Sequence, residues 1–290
     1  MAKELKDIAY GGGLDGRLID LYVPDGAGSW PLVIWSRGSG WLADTGRDDA
    51  EVVARRLNPR GFAVAGLAIR SSAQTRFPGQ LHDIEEAIRH LRTNAAAYAL
   101  DPERVGMFGE SSGGWAAALA ALTVDGIRAA VPVYPPTDLL SMDAQMLPGT
   151  LQEFTRFPGS PYGHDDPESA ESRLLGSPLQ DRPELARRAS PLTYVRPDAP
   201  PFLILHGKAD RIVPYRQGEL FYDALAQAGA DVELITLPYA DHGPWNDFLT
   251  DPRVKRDAVS VVSLDGKKTE PRPCDPTWDT VADFFHRHLM

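Results

Sequence analysis

The chain has 290 residues, 43% hydrophobic and 24% charged, with a formal net charge of -10 and a single cysteine. That composition excludes disordered and fibrous classes and suits one large α/β domain, and the acidic balance argues against a nucleic-acid partner. Cys274 cannot close an internal disulfide, no apolar run is long enough to span a bilayer, and the opening Met1-Ala2-Lys3-Glu4-Leu5-Lys6-Asp7 lacks an apolar signal core, so a cytoplasmic location is expected. Residues 17–23 alternate apolar and polar before Pro24, as a half-buried edge strand does, whereas residues 31–35 are continuously apolar, as in a central strand. Residues 44–60 read as a helix stopped by Gly61, 62–69 as a strand, and 80–97 as a helix with one buried face. Strand and helix go on alternating: 105–108, 115–122, 129–134, 202–205, 219–228, 232–237 and a last helix at 278–289. This rhythm predicts βαβ units, a mostly parallel central sheet with helices on both faces, and a single domain over 1–290. Two excursions interrupt it, at 143–191 and 243–277. Both leave the C-terminal edge of the sheet and are candidates for lids or caps; the second contains a β-hairpin pattern around Asp265-Gly266.

The most informative stretch is Gly109-Glu110-Ser111-Ser112-Gly113, a G-x-S-x-G between an apolar strand and an alanine-rich helix. A nucleophile elbow needs this arrangement. The serine occupies a strained strand-to-helix turn, the glycines admit neighbouring backbone, and the helix start aims free N–H groups at a developing anion. The alternative is a glycine-rich turn whose serines only cap the helix.

A serine hydroxyl becomes a nucleophile when a base takes its proton, and the base needs an acid to fix its tautomer. On such a fold the order is serine, acid, histidine. Of seven histidines, His82 and His90 precede the serine, His286 and His288 lie in the terminal helix, and His164 is in the first excursion. His206 precedes the best acid. His242 follows a strand at the sheet's C-terminal edge and is the candidate base. Asp210, just past strand 202–205, is preferred as the acid over Asp241, which adjoins the histidine in sequence, and over Asp138. Oxyanion donors are expected from the N–H of Ser112 and from Ser39 and Gly40 in the glycine-rich loop Arg37-Gly38-Ser39-Gly40-Trp41. Trp41 and Trp115 are read either as lining an acyl or aryl pocket or as core, and Arg37 either contacts substrate or braces its loop through Asp44, Asp48 and Asp49. No metal-ligand spacing, P-loop or dinucleotide fingerprint is present, so no metal and no cofactor are expected.

These motifs as a set, with His206-Gly207-Lys208-Ala209-Asp210, Val213-Pro214 and Asp241-His242-Gly243, resemble the α/β-hydrolases, and more narrowly the bacterial feruloyl-esterase-like (BD-FAE) carboxylesterases close to the hormone-sensitive-lipase type. The resemblance extends to Phe77-Pro78-Gly79-Gln80-Leu81-His82-Asp83-Ile84 and Leu100-Asp101-Pro102-Glu103-Arg104-Val105, and covers roughly residues 15–243. It implies Ser111 as nucleophile, Asp210 as acid, His242 as base, and an oxyanion hole at Ser39, Gly40 and Ser112. Two departures stand out. Arg37 replaces the first histidine of the family's usual His-Gly-Gly-Gly-Trp, and residues 244–277 intervene before the last helix. The expectation is a cofactor-free serine carboxylesterase acting on small-molecule esters, with or without homo-oligomerisation. The alternative enzyme is an amide, formamide or carbamate hydrolase of arylformamidase type. A non-catalytic receptor on the same fold is disfavoured because candidates for all three catalytic roles are present.

Overall fold

In a computed structural model, residues 3–12, 16–150 and 163–290 of the chain are described. Strands β1 (Lys3–Ala9), β2 (Leu18–Val23), β3 (Trp30–Ser36), β4 (Ala63–Leu67), β5 (Leu100–Glu110), β6 (Ile127–Val133), β7 (Phe202–Gly207), β8 (Val232–Leu237), β9 (Val259–Leu264) and β10 (Lys267–Lys268) form one sheet in the order β1-β2-β4-β3-β5-β6-β7-β8-β9-β10, and β11 (Arg272–Pro273) also pairs with β9. The pairings from β4 through β8 are parallel, and those at both margins are antiparallel. Central strands such as β3, up to its last residue Ser36, and β4 are apolar because both faces are covered. Helices α1 (Ala50–Leu57) and α6 (Trp278–Leu289) cover one face, where Trp35, Phe108 and Phe285 are buried. On the other face lie α2 (Gly79–Thr93), α3 (Ser112–Thr123) and α5 (Tyr215–Ala228), around Ile34, Met107 and Phe221.

The structure departs from the sequence reading in two places. The strand expected at the edge, β2, is flanked by β1 and β4, so the edge belongs to β1. Most of β1 is exposed polar sequence, with a register shift between Leu5 and Ile8, and it carries no apolar alternation by which to see it. A lysine-bearing, irregular edge is a common device against unwanted strand pairing. The helix expected over 44–60 starts only at Ala50, because the preceding residues bond to the glycine-rich loop: the Arg37 N–H donates to the Gly46 carbonyl at 2.9 Å.

The two excursions end up in different places. In the second, the hairpin β9–β10 extends the sheet, while residues 243–246 stay beside the site. In the first, residues 151–162 fall outside the described residues. Its remainder carries α4 (Ala170–Leu175) and packs beside α3, where the Trp115 Nε1–H donates to the Ala189 carbonyl at 2.6 Å.

Candidate active site

Four of the parallel strands deliver the site from their C-terminal ends, with β6 lying between β5 and β7: β3 leads into the loop at 37–41, β5 into Ser111, β7 into Asp210 and β8 into His242. Ligands of open α/β sheets bind at this edge, where strand order reverses. Ser111 has φ 56° and ψ −124°, a strained conformation for a residue with a side chain. Its turn is held by the Ser111 N–H donating to the Val133 carbonyl at 3.0 Å and its carbonyl accepting from the Trp115 N–H at 2.9 Å. Glycine is required at 113, because a Cβ there would lie 1.9 Å from the Ser36 carbonyl oxygen.

The His242 Nε2 lies 3.0 Å from the Ser111 Oγ, and its Nδ1 lies 2.9 Å from the Asp210 Oδ2. Asp210 is fully buried, and its Oδ1 accepts the N–H groups of Ile212 and Val213, each at 2.9 Å. Burial alone would favour its neutral form, but the His242 ring and a contact from His206 hold its carboxyl below the ordinary carboxylate range. Asp241 is turned elsewhere: it pairs with the Arg211 side chain and accepts the His242 main-chain N–H, so its carboxylate is not on the imidazole.

Burial would push the His242 ring down, yet Asp210 lifts it above its ordinary value of 6.5, with further contributions from Glu110 and Asp241. Glu110 is the x of G-x-S-x-G. Its buried carboxylate accepts the Gly38 N–H at 2.8 Å. It therefore ties the glycine-rich loop to the elbow. A general base must be neutral to accept a proton, so a raised value moves the acid limb of activity to higher pH. Glu110→Gln is expected to shift that limb to lower pH, and a pH profile of kcat/KM over the acid range measures it.

Two other parts of the expected site are modified by the geometry. The Ser39 N–H is not available for an oxyanion, because it donates to the Ser112 Oγ at 2.9 Å. Among the described residues, the N–H groups of Gly40 and Ser112 have no protein acceptor. Trp115 is fully buried in the core, where its Nε1–H donates to the Ala189 carbonyl, and it does not line the cavity. Trp41 does line it, edge-to-face with Trp115 at 5.4 Å. Arg37 sits on the cavity rim with its side chain 43% exposed, 3.5 Å from Asp49 and 3.8 Å from Asp48; Asp44 instead accepts from Gln74. The cavity has a volume of about 570 Å³, and its walls are mainly apolar.

Glu110, Tyr134 and His206 were not singled out as site residues by the sequence. Glu110 had a visible signal, a carboxylate beside the nucleophile. The Tyr134 ring lies 4.4 Å from that of His242 through a fold-level contact without a local motif. Among the described residues, no group of three or more His, Cys, Asp or Glu side chains is arranged to hold a metal ion, and no helix is long and apolar enough to cross a membrane.

A parallel sheet with a strained serine between β5 and α3, and an acid and a histidine on the loops after β7 and β8, defines an α/β-hydrolase fold. The BD-FAE family model matches residues 19–225, and the chain belongs to that family. It is 31% identical to the esterase LipQ of Mycobacterium tuberculosis over 83% of this chain and 57% of that protein. It is 26% identical to a probable isoprenylcysteine alpha-carbonyl methylesterase of Oryza sativa over 91% of this chain and 64% of that protein. The chain thus spans between half and two thirds of these relatives' length. Among solved structures it is similar to a truncated form of a carbohydrate esterase from gut microbiota, with a TM-score of 0.77, 24% identity, and coverage of 98% of this chain and 95% of that one. A bifunctional GH43-CE protein of Bacteroides eggerthii matches with a TM-score of 0.77 and 28% identity over 98% of this chain and 38% of the other.

Proposed function

We propose that the protein is a serine carboxylesterase that hydrolyses small-molecule esters through an acyl-enzyme, without a cofactor. The observation that carries this reading is the continuous chain from the Ser111 Oγ to the His242 Nε2 at 3.0 Å and from the His242 Nδ1 to Asp210 at 2.9 Å, opening into an apolar cavity. The esterase names of the relatives support it. The Ser111 Oγ attacks the ester carbonyl carbon while the His242 Nε2 takes its proton. The N–H groups of Ser112 and Gly40 receive the oxyanion, preorganised donors being the larger part of such stabilisation. The intermediate then collapses, and His242 returns the proton to the departing alkoxide. Water, deprotonated by His242, attacks the acyl group and frees Ser111. Asp210 keeps the Nδ1 proton in place and balances the imidazolium throughout.

A phosphonate ester should add one equivalent to the protein, and peptide mass spectrometry should place it on Ser111. Hydrolysis of p-nitrophenyl acetate should be unaffected by EDTA. Labelling elsewhere, or activity lost to the chelator and restored by a divalent metal, would displace this reading. Turnover of aryl formamides without turnover of esters would move the assignment to an amide hydrolase on the same residues.

A further inference from the structure

A buried histidine outside the catalytic set is wired to the acid. His164, in the first excursion, and Glu171, in α4, line the same cavity and are 2% and 4% exposed. The His164 Nδ1 lies 2.9 Å from the Glu171 Oε1, and its Nε2 lies 2.8 Å from the Ile212 carbonyl oxygen. Both of these partners are acceptors, so both ring nitrogens donate. The His164 main chain is fixed as well: its N–H and that of Asp165 donate to the two carboxylate oxygens of Asp143.

The carbonyl that receives His164 belongs to the same peptide unit as the Val213 N–H, which donates to the Asp210 Oδ1. One peptide group therefore carries hydrogen bonds at both ends, from an imidazole on one side and to the catalytic carboxylate on the other. Hydrogen bonds in series polarise one another in a low-dielectric interior. The next carbonyl, that of Val213, accepts from the His206 Nε2 at 3.0 Å, so the loop after Asp210 is clamped from two directions.

We propose that His164, anchored by Glu171, is a positioning residue that fixes the Ile212–Val213 peptide and through it the carboxylate of Asp210. On this view the segment from His164 to Glu171 is a fixed wall of the site and not a moving lid. The proposal rests on the reading of Asp210 as the catalytic acid.

The test compares His164→Ala, His164→Gln and Glu171→Gln with wild-type protein. Turnover of p-nitrophenyl acetate is normalised to phosphonate-titrated sites, and amide hydrogen exchange is followed for the peptide spanning residues 211–214. His164→Ala should lower kcat on the order of 10- to 100-fold, the penalty typical of misplacing a catalytic group by about 1 Å, with KM little changed and exchange of the Ile212 and Val213 amides accelerated. His164→Gln keeps an N–H donor and should recover much of the loss. Glu171→Gln should give a smaller loss in the same direction. Wild-type kcat per titrated site in His164→Ala, with unchanged exchange, overturns the proposal. If His164→Ala does not fold, the same pair of results in Glu171→Gln overturns it. An inactive wild-type protein defeats the esterase reading instead, and the exchange measurement then decides the clamp alone.

Discussion

Ser111→Ala is expected to fold and to lose at least about 10³-fold in kcat, because among the described residues the Ser111 hydroxyl is the one hydrogen-bonded to the His242 Nε2. The Ser111 Oγ is the atom facing the His242 Nε2, and the strained backbone at this position puts it there. Alanine accepts the same backbone at similar cost, so folding should survive. The neighbouring serine is the natural control. The Ser112 Oγ accepts the Ser39 N–H and does not face the imidazole, so Ser112→Ala keeps its own backbone N–H and releases a second one near the cavity. Its effect on kcat should be far smaller. Steady-state kinetics on p-nitrophenyl acetate, with circular dichroism for folding, separates the two; an inactive Ser112→Ala beside an active Ser111→Ala would reverse the assignment.

Asp210→Asn is expected to cost on the order of 10⁴-fold in kcat while leaving the fold intact. The close partners of the carboxylate are N–H groups: Ile212 and Val213 on Oδ1, and His242 on Oδ2, with the His206 Nε2 further off at 3.5 Å from Oδ2. An asparagine that keeps its oxygen toward Ile212 and Val213 must turn its amide toward the His242 Nδ1. The ring then accepts at Nδ1 and carries its proton on Nε2, the wrong tautomer to receive one from Ser111. Asp241→Asn should be mild, since Asp241 pairs with Arg211 at a partly exposed position where ion pairs contribute about 1 kcal/mol or less. Single-turnover acylation rates measure both. A loss in Asp241→Asn as large as in Asp210→Asn would mean that the acid had been misassigned.

Much of the architecture was legible because the parallel strands are buried on both faces and therefore read as apolar runs, with amphipathic helices between them. β1 was not, because an exposed edge needs no apolar pattern. The start of α1 was misplaced because residues 44–49 are held in turns, with the Gly46 carbonyl bonded to the Arg37 N–H, a contact invisible in a sequence. In the site, chain order and strand ends sufficed to select Ser111, Asp210 and His242 as the residues the fold gathers. Donor availability was not legible: Ser39 and Gly40 are adjacent and alike in size, and only the position of the Ser112 hydroxyl distinguishes their amides. Trp115 illustrates the same limit. Its place in the first turn of the elbow helix suits either pocket or core, and a partner 74 residues away decides for core.

Ser111 and His242 are 131 positions apart and meet only when β5 through β8 are aligned. Contacts at such separation require loop closure before they stabilise the chain, and topologies rich in them fold slowly. During synthesis the elbow sequence therefore emerges well before its base, and a serine hydroxyl without a base is a poor nucleophile. On the proposed function, the nascent chain carries its nucleophile in an inert form, and ester hydrolysis becomes possible only once the strands that bring His242 to Ser111 have paired.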